Sequence, residues 1–293
     1  MAIAHYHLGC PLWSYRSWLG SLLISDTPAS QWLGQYAQVF NTVEGNTTFY
    51  GTPNPNTVAR WGDDTPPGFH FCFKFPQVIS HRRRLRHASA ETRDFLKVLE
   101  PLAARDRLGP TWLQLPPTFG PADLDLLDSY LQGLPRDWAF AVEVRHEAFF
   151  TKGEGERRLN RLLRGLAMER VVLDSRPLFS APGADEDTRG AQAKKPRVPV
   201  RAIALGKHPL VRFIGHPSLA ANEVFLEPWW TKLQAWLDEG RQPYFFAHTP
   251  NNHLAPQLAR RVHQHLQTLR PTVGELPPWP GEVHQMPRQA QLF

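Results

Sequence analysis

The stretch Phe40 to Tyr50, FNTVEGNTTFY, alternates like a β-strand, yet it sets a carboxylate and an amide, Glu44 and Asn46, where such a strand wants apolar atoms. Side chains two apart share a strand face, and in a closed barrel one face is the interior. The same signature recurs in other apolar runs: Glu143 pairs in phase with Arg145, and Lys74, Gln114, Asp174, Arg212 and His248 each fall late in a run of their own. Glu44, Glu143 and Asp174 are the candidate catalytic groups, because a carboxylate becomes a general base when burial raises its pKa toward neutrality. Lys74, Arg145 and Arg212 suit an anionic ligand, since a guanidinium offers a planar fork to phosphate or carboxylate oxygens. A buried ion-pair network without chemistry is the competing reading, but replacing such pairs by packed hydrophobes is often neutral or stabilising. A site that keeps so many charges is expected to use some of them. His81, His216 and His248, with the three acids, supply ligand types for a metal, but their spacing carries no metal signature, and the three cations would repel a cluster of divalent ions. The cofactor is therefore unknown, with at most one divalent ion expected.

Helices must position these residues. Apolar spacing of three and four predicts one after Thr27-Pro28, with Thr27 as cap and Leu33, Tyr36, Ala37 and Phe40 on its face. Others are predicted at Phe95 to Leu102 behind Ser89, Leu124 to Leu131, Leu159 to Leu166, Trp230 to Leu237 and Leu258 to Leu266. Between them lie eight short runs bounded by Gly, Pro or polar clusters: YHLGC, NTVEGN, FHFCFKF, TWLQL, AFAVEVRH, RVVLDS, LVRFIGH and YFFAHT. Strands alternating with helices imply parallel βα units. Eight of them point to an α/β protein built as one (β/α)₈ TIM-like barrel over residues 1–272, whose active site lies at the carboxyl ends of the strands. No Gly-rich phosphate loop follows the first strand, which argues against a dinucleotide fold. Two links are irregular: only NTVARW, 56–61, has helical character between strands two and three, and ADEDTRGAQAKKPR, 184–197, between strands six and seven reads as a mobile polar loop.

The chain has 293 residues, 42% of them hydrophobic and 11% aromatic, enough for a sizeable core. Residues 1–20 lack the basic start, apolar run and cleavage site of a signal peptide, so the expectation is a soluble cytoplasmic protein without a membrane partner. Two cysteines, Cys10 and Cys72, are too few and too far apart for a zinc knuckle or a disulfide scaffold. The formal net charge of +6 permits an anionic small molecule or nucleic acid as partner.

Two further segments bear on partners. HRRRLRH, 81–87, follows the third strand, and Arg82, Arg83, Arg84 and Arg86 are candidate phosphate contacts of the salt-dependent, sequence-blind kind; a solvated charged loop is the alternative. Trp13, Tyr15 and Trp18 offer stacking surface or core. Residues 273–293 are predicted to form an extended Pro-rich tail ending in QAQLF. That peptide resembles the short motif by which bacterial replication and repair proteins bind the sliding clamp, with Gln289 fixing register and Leu292 and Phe293 as anchor. Folding back of Leu292 and Phe293 onto the barrel is the alternative.

Taken together, Tyr36 with FNTVEGNTTFY, FHFCFKF followed by His81, LQLPPTF at 113–119, EVRH at 143–146, VRFIGH at 211–216 and Asn251-Asn252 resemble the YecE-like family (DUF72), proteins of unknown function with a TIM-barrel-like fold. The resemblance runs from Gly9 to about Asn252. It implies that Glu44, Asn46, Phe49, Tyr50, Lys74, His81, Gln114, Glu143, Arg145, His146, Arg212 and Asn252 belong to the family pattern, without assigning roles. Gly45, where an aliphatic residue is usual, and the spacing of HTPNN depart from it. The leading expectation is a barrel that binds or hydrolyses a phosphate-bearing ligand, nucleic acid favoured, with phosphodiester hydrolysis as the reaction if it is an enzyme. The alternatives are a small-molecule hydrolase, lyase or isomerase acting on an anionic metabolite, and a non-catalytic module associated with DNA or the clamp.

Overall fold

All eight apolar runs become strands. The computed structural model describes residue 3 and residues 5–285. The strands are β1 (His7–Gly9), β2 (Thr42–Gly45), β3 (His70–Phe73), β4 (Thr111–Gln114), β5 (Phe140–Glu143), β6 (Glu169–Arg170), β7 (Val172–Asp174), β8 (Leu210–Ile214) and β9 (Tyr244–His248). The run RVVLDS is divided into β6 and β7 by Val171, whose amide donates to the Val142 carbonyl at 2.9 Å. Every pairing is parallel, in the orders β1-β9-β8-β7, β2-β3 and β4-β5-β6. The sheets are joined by sparse links: the Glu44 amide donates to the Cys10 carbonyl (3.0 Å), and β3 and its continuation meet the chain at β4 through two parallel bridges, Phe71 to Leu108 and Lys74 to Trp112.

Among the described residues ten α-helices accompany the strands: α1 (Trp32–Tyr36), α2 (Pro55–Asp63), α3 (Ser89–Ala103), α4 (Leu124–Gln132), α5 (Glu154–Gly165), α6 (Arg176–Ser180), α7 (Glu186–Lys194), α8 (Glu223–Asp238), α9 (Ala255–Leu269) and α10 (Pro280–Gln285). Their apolar stripes are buried as the spacing demands, for instance Leu159 and Leu163 of α5 and Leu258, Val262 and Leu266 of α9. Among the described residues, no helix is long and apolar enough to cross a membrane. Strand register sets neighbours that matter below, with Gln114 of β4 opposite Glu143 of β5, and Arg212 of β8 between Leu173 and Phe246.

Gly45 has a packing reason. A Cβ at this position would overlap the Phe73 ring, so its lack of a side chain lets β3 lay that ring across β2.

Three expectations are corrected. Thr27 does not cap α1. Its hydroxyl donates to the Ile24 carbonyl (2.8 Å), and the chain enters through a 3₁₀ turn at Ala29–Gln31, leaving α1 only five residues long. Residues 184–197 are not a mobile loop, because α7 forms there. The Asp185 carboxylate caps it by accepting from the Thr188 amide and hydroxyl, both at 2.7 Å, and Pro196 ends it by forcing Lys195 into an extended conformation. The segment is polar because it buries only a few side chains, Thr188 and Ala191 among them. Residues 273–285 are likewise not an exposed extended tail: Val273 and Trp279 are buried, and Arg260 lies 3.4 Å over the Trp279 ring while pairing with Glu282. Pro280 occupies the first position of α10, where its missing N–H costs nothing. A Cβ at Gly281 would overlap the Ser21 and Leu23 carbonyls, so the helix can dock closely.

Candidate functional site

Strand phase brings the polar residues together at the carboxyl ends. Arg212, 1% exposed, holds Glu44 through two bonds, Nε to Oε2 at 2.9 Å and Nη2 to Oε1 at 2.6 Å, and donates from Nη1 to Glu143 Oε2 at 2.6 Å. Arg145 takes the other Glu143 oxygen through Nε (2.9 Å) and Nη2 (2.8 Å), and also donates to Gln114 Oε1 at 2.8 Å. Asn46 donates to Glu44 Oε1 at 2.6 Å, and His248 Nε2 lies 3.0 Å from Oε2. Burial pushes both carboxyls up, but Arg212 outweighs it, aided by His248 at Glu44 and by Arg145 and Lys74 at Glu143. Glu44 is held well below its usual range and Glu143 is brought down to about 2. The raised pKa that a general base requires is therefore the opposite of what Glu143 has, because its oxygens are saturated by guanidinium donors. Burial lowers His248 to about 4 against the pull of Glu44, so this imidazole is neutral at pH 7.

Above the cluster opens a cavity of about 730 Å³, lined by Asn46, Tyr50, Lys74, His81, Gln114, Arg145, His248 and Asn252, and also by Phe49, Gln77 and the α7 residues Glu186, Asp187 and Lys194 with Lys195 beyond them. Lys74 is only 7% exposed, and its ammonium lies 5.1 Å from the Phe49 ring centroid and 5.5 Å from that of Trp112. Neither Lys74 nor Lys195 hydrogen-bonds an acceptor among the described residues. Burial and then Arg212 lower Lys74 to about 7, with Glu143 and Glu44 opposing. Burial and Arg212 likewise lower Lys195 to about 8. His81 bonds Ser80 Oγ through Nδ1 at 2.8 Å and packs edge-on against Phe49, while burial, Arg145 and Lys74 lower its pKa. Tyr50 stands 78% exposed at the rim, edge-on to Phe49.

Other sequence candidates lie elsewhere. Asp174 is wholly buried and does not line the cavity, accepting from Arg176 Nε (2.9 Å) and Nη2 (2.7 Å) and from the Trp229 indole (2.8 Å), contacts that tie β7 to α6 and α8. His146 also faces away, its Nδ1 capping a 3₁₀ turn at the Ala148 amide (3.2 Å). In the basic turn, Arg83 is paired with Glu91, and Arg84 is bound to Thr118 and Asp123. Arg82 and Arg86 remain exposed. Three of its residues, Arg84, Leu85 and His87, adopt positive φ (49°, 66° and 50°), and Leu85 is buried beneath the turn.

Among the described residues, no three His, Cys, Asp or Glu side chains converge as a metal site requires. Of the proposed ligands, His216 accepts from the Ser218 amide, and Glu44 and Glu143 are occupied by arginines. Trp13 and Tyr15 pack against the core and Trp18 is buried in it. Gln289, Leu292 and Phe293 lie outside the described residues. Sequence reasoning missed Lys195, Lys194, Glu186 and Asp187, because the segment carrying them reads as a loop. Its one signal was the Lys194-Lys195 pair in an otherwise small and polar stretch.

A profile described as "Protein of unknown function DUF72" matches residues 7–282. The chain is 43% identical to the UPF0759 protein YecE of Escherichia coli K12 over 287 residues, 98% of this chain and 99% of that protein. A DUF72 family protein from Thermotoga maritima superposes with a TM-score of 0.67 at 22% identity, covering 89% of this chain and 99% of that one. A second, from Enterococcus faecalis V583, gives 0.66 at 18% identity over 93% and 98%.

Proposed function

The chain belongs to the DUF72 family, and we propose that it binds a phosphate-bearing small molecule in the cavity at the carboxyl ends of its strands. The observation that carries this reading is the charge balance. Counting the floor and the lining together, Arg212, Arg145, Lys74, Lys194 and Lys195 outnumber Glu44, Glu143, Glu186 and Asp187 by one, and Lys74 and Lys195, which meet no acceptor among the described residues, are depressed by burial and by Arg212. A polyoxyanion supplies the missing acceptors, with Arg145 and Lys195 as its donors. The volume, about 730 Å³, is in the range of small-ligand sites. Tyr50 at the rim offers a face for a planar ring.

The same reading takes β6 and β7 as halves of one strand and the sparse links between sheets as closure of one (β/α)₈ barrel. That places the cavity where such barrels keep their sites. A phosphodiester hydrolase using Glu44 or Glu143 as base is less well supported, since both are arginine-saturated. Nucleic acid is the second reading, favoured by the exposed Arg82 and Arg86 beside the mouth.

Thermal denaturation in inorganic phosphate and, separately, in a short single-stranded DNA discriminates these. Millimolar phosphate is expected to raise Tm of the wild type by mass action and to leave Lys195→Met unmoved. No shift with phosphate rejects the reading, and a shift with DNA alone, abolished by Arg82→Ala/Arg86→Ala, transfers it to nucleic acid.

A further inference from the structure

We propose that Lys74 is a nucleophile that forms an imine with the carbonyl carbon of a phosphorylated aldehyde or ketone bound in the cavity. This rests on the phosphate-binding reading above and adds a reaction to it. The geometry is specific. Lys74 directly follows β3, held to Trp112 of β4 by a parallel bridge, so its stem is anchored on a rigid element. Its nitrogen is sheltered by two aromatic faces, and Lys74 lines the cavity and makes no ion pair with a carboxylate among the described residues. The acids nearest in charge, Glu44 and Glu143, are spent on Arg212 and Arg145. A lysine in that setting carries a substantial neutral-amine fraction near pH 7, as a nucleophilic amine requires, and burial does lower Lys74 to about 7. Lys195 differs: it is half-buried, follows the C-terminus of α7 and is lowered only to about 8, so it keeps more of the positive charge that holds a phosphate.

The step balances without a co-reactant. The neutral Nζ attacks the carbonyl carbon, a C–N bond forms, the nitrogen loses a proton and the oxygen gains one, giving a carbinolamine. The hydroxyl then departs as water with a proton from the cavity's acid, leaving the protonated imine. His81 is the group placed to carry that proton. It lines the same cavity, its Nδ1 is committed to Ser80, and Lys74 is close enough for its charge to count among the causes lowering His81.

The test uses the full chain with pyridoxal 5′-phosphate as probe, since it joins an aldehyde, a phosphate and a planar ring, followed by borohydride and peptide mapping. The chain has seven lysines, so six serve as internal controls. At one equivalent of probe and pH 7, reduction is expected to label Lys74 at least tenfold above Lys97, Lys152, Lys207 and Lys232. Inorganic phosphate should suppress that label, and Lys74→Met should lose it. Because the labelled position is read in the wild type, the result does not depend on the variant folding. Label spread evenly over surface lysines, or concentrated on Lys195, in a protein whose Tm still rises with phosphate overturns the imine and leaves phosphate binding standing. Absence of both label and phosphate shift overturns both.

Discussion

Removing Arg212 should expose the electrostatics on which the site is built. Arg212→Met deletes two bonds to Glu44 and one to Glu143, all with both partners essentially excluded from solvent. Breaking a buried pair by removing one partner costs roughly 3–5 kcal/mol, a large part of the typical ~5–15 kcal/mol stability of a folded domain. The pH dependence separates this from lost packing. In the wild type Glu44 and Glu143 sit below their unfolded values, so their contribution is present above about pH 4.3 and is lost as pH falls through the folded values, about 2 for Glu143. In the variant, burial dominates at Glu44, its folded pKa rises above the unfolded one, and the penalty grows as pH rises. Urea denaturation at pH 4 and pH 7 should therefore show a wild-type-minus-variant difference that is larger at pH 7, by about 1.4 kcal/mol for each unit that Glu44 moves. Adding Glu44→Gln should recover part of the loss. A difference below about 1 kcal/mol, or one independent of pH, would refute the reasoning about buried charge.

Two other expectations concern residues away from the cavity. His7 stacks on Tyr244 (4.1 Å) and on His70 (4.6 Å), His208 meets Tyr244 edge-on, and burial lowers the pKa of all three histidines. The unfolded chain thus takes up their protons first, so stability is full above about pH 6.5 and falls on acidification. Calorimetry should show Tm dropping between pH 7 and pH 5 by less in His70→Gln than in the wild type, and equal drops would sink the idea. Asp174→Asn should cost about 1–3 kcal/mol by weakening its hold on Arg176 and Trp229, while phosphate binding stays at the wild-type level. Lost binding in a folded variant would restore Asp174 to the site.

Much of this was legible from strand phase. The eight apolar runs and the parity of Glu44 with Asn46, Glu143 with Arg145, and Arg212 in β8 follow from the two-residue period of a strand, and that period placed them in one cluster. Phase cannot say which partner saturates a carboxylate. Glu44 and Glu143 read as bases because Arg212, 168 and 69 residues away in the chain, could not be matched to them without the fold. Asp174 lies off the cavity because of phase: the register sets Leu173 beside the inward-facing Arg212 and Asp174 beside Phe213, so its carboxylate faces outward to the Trp229 indole of α8. The helix α7 escaped because its apolar face is narrow and its stability comes from an Asp185 cap and tertiary contacts, and with it went Lys195. Trp279 shows the same limit at the other end: one buried anchor outweighs several prolines.

The central claim, an anion held by Arg145 and by Lys195, which meets no acceptor among the described residues, is tested most directly by calorimetric titration of sulfate between pH 6 and pH 9, over which sulfate keeps its charge. Bound anion should pull Lys195 up from about 8. Binding then takes up a proton, and affinity should fall as pH rises, by about tenfold. Affinity that is flat or rises with pH, or no binding at millimolar sulfate, would contradict it.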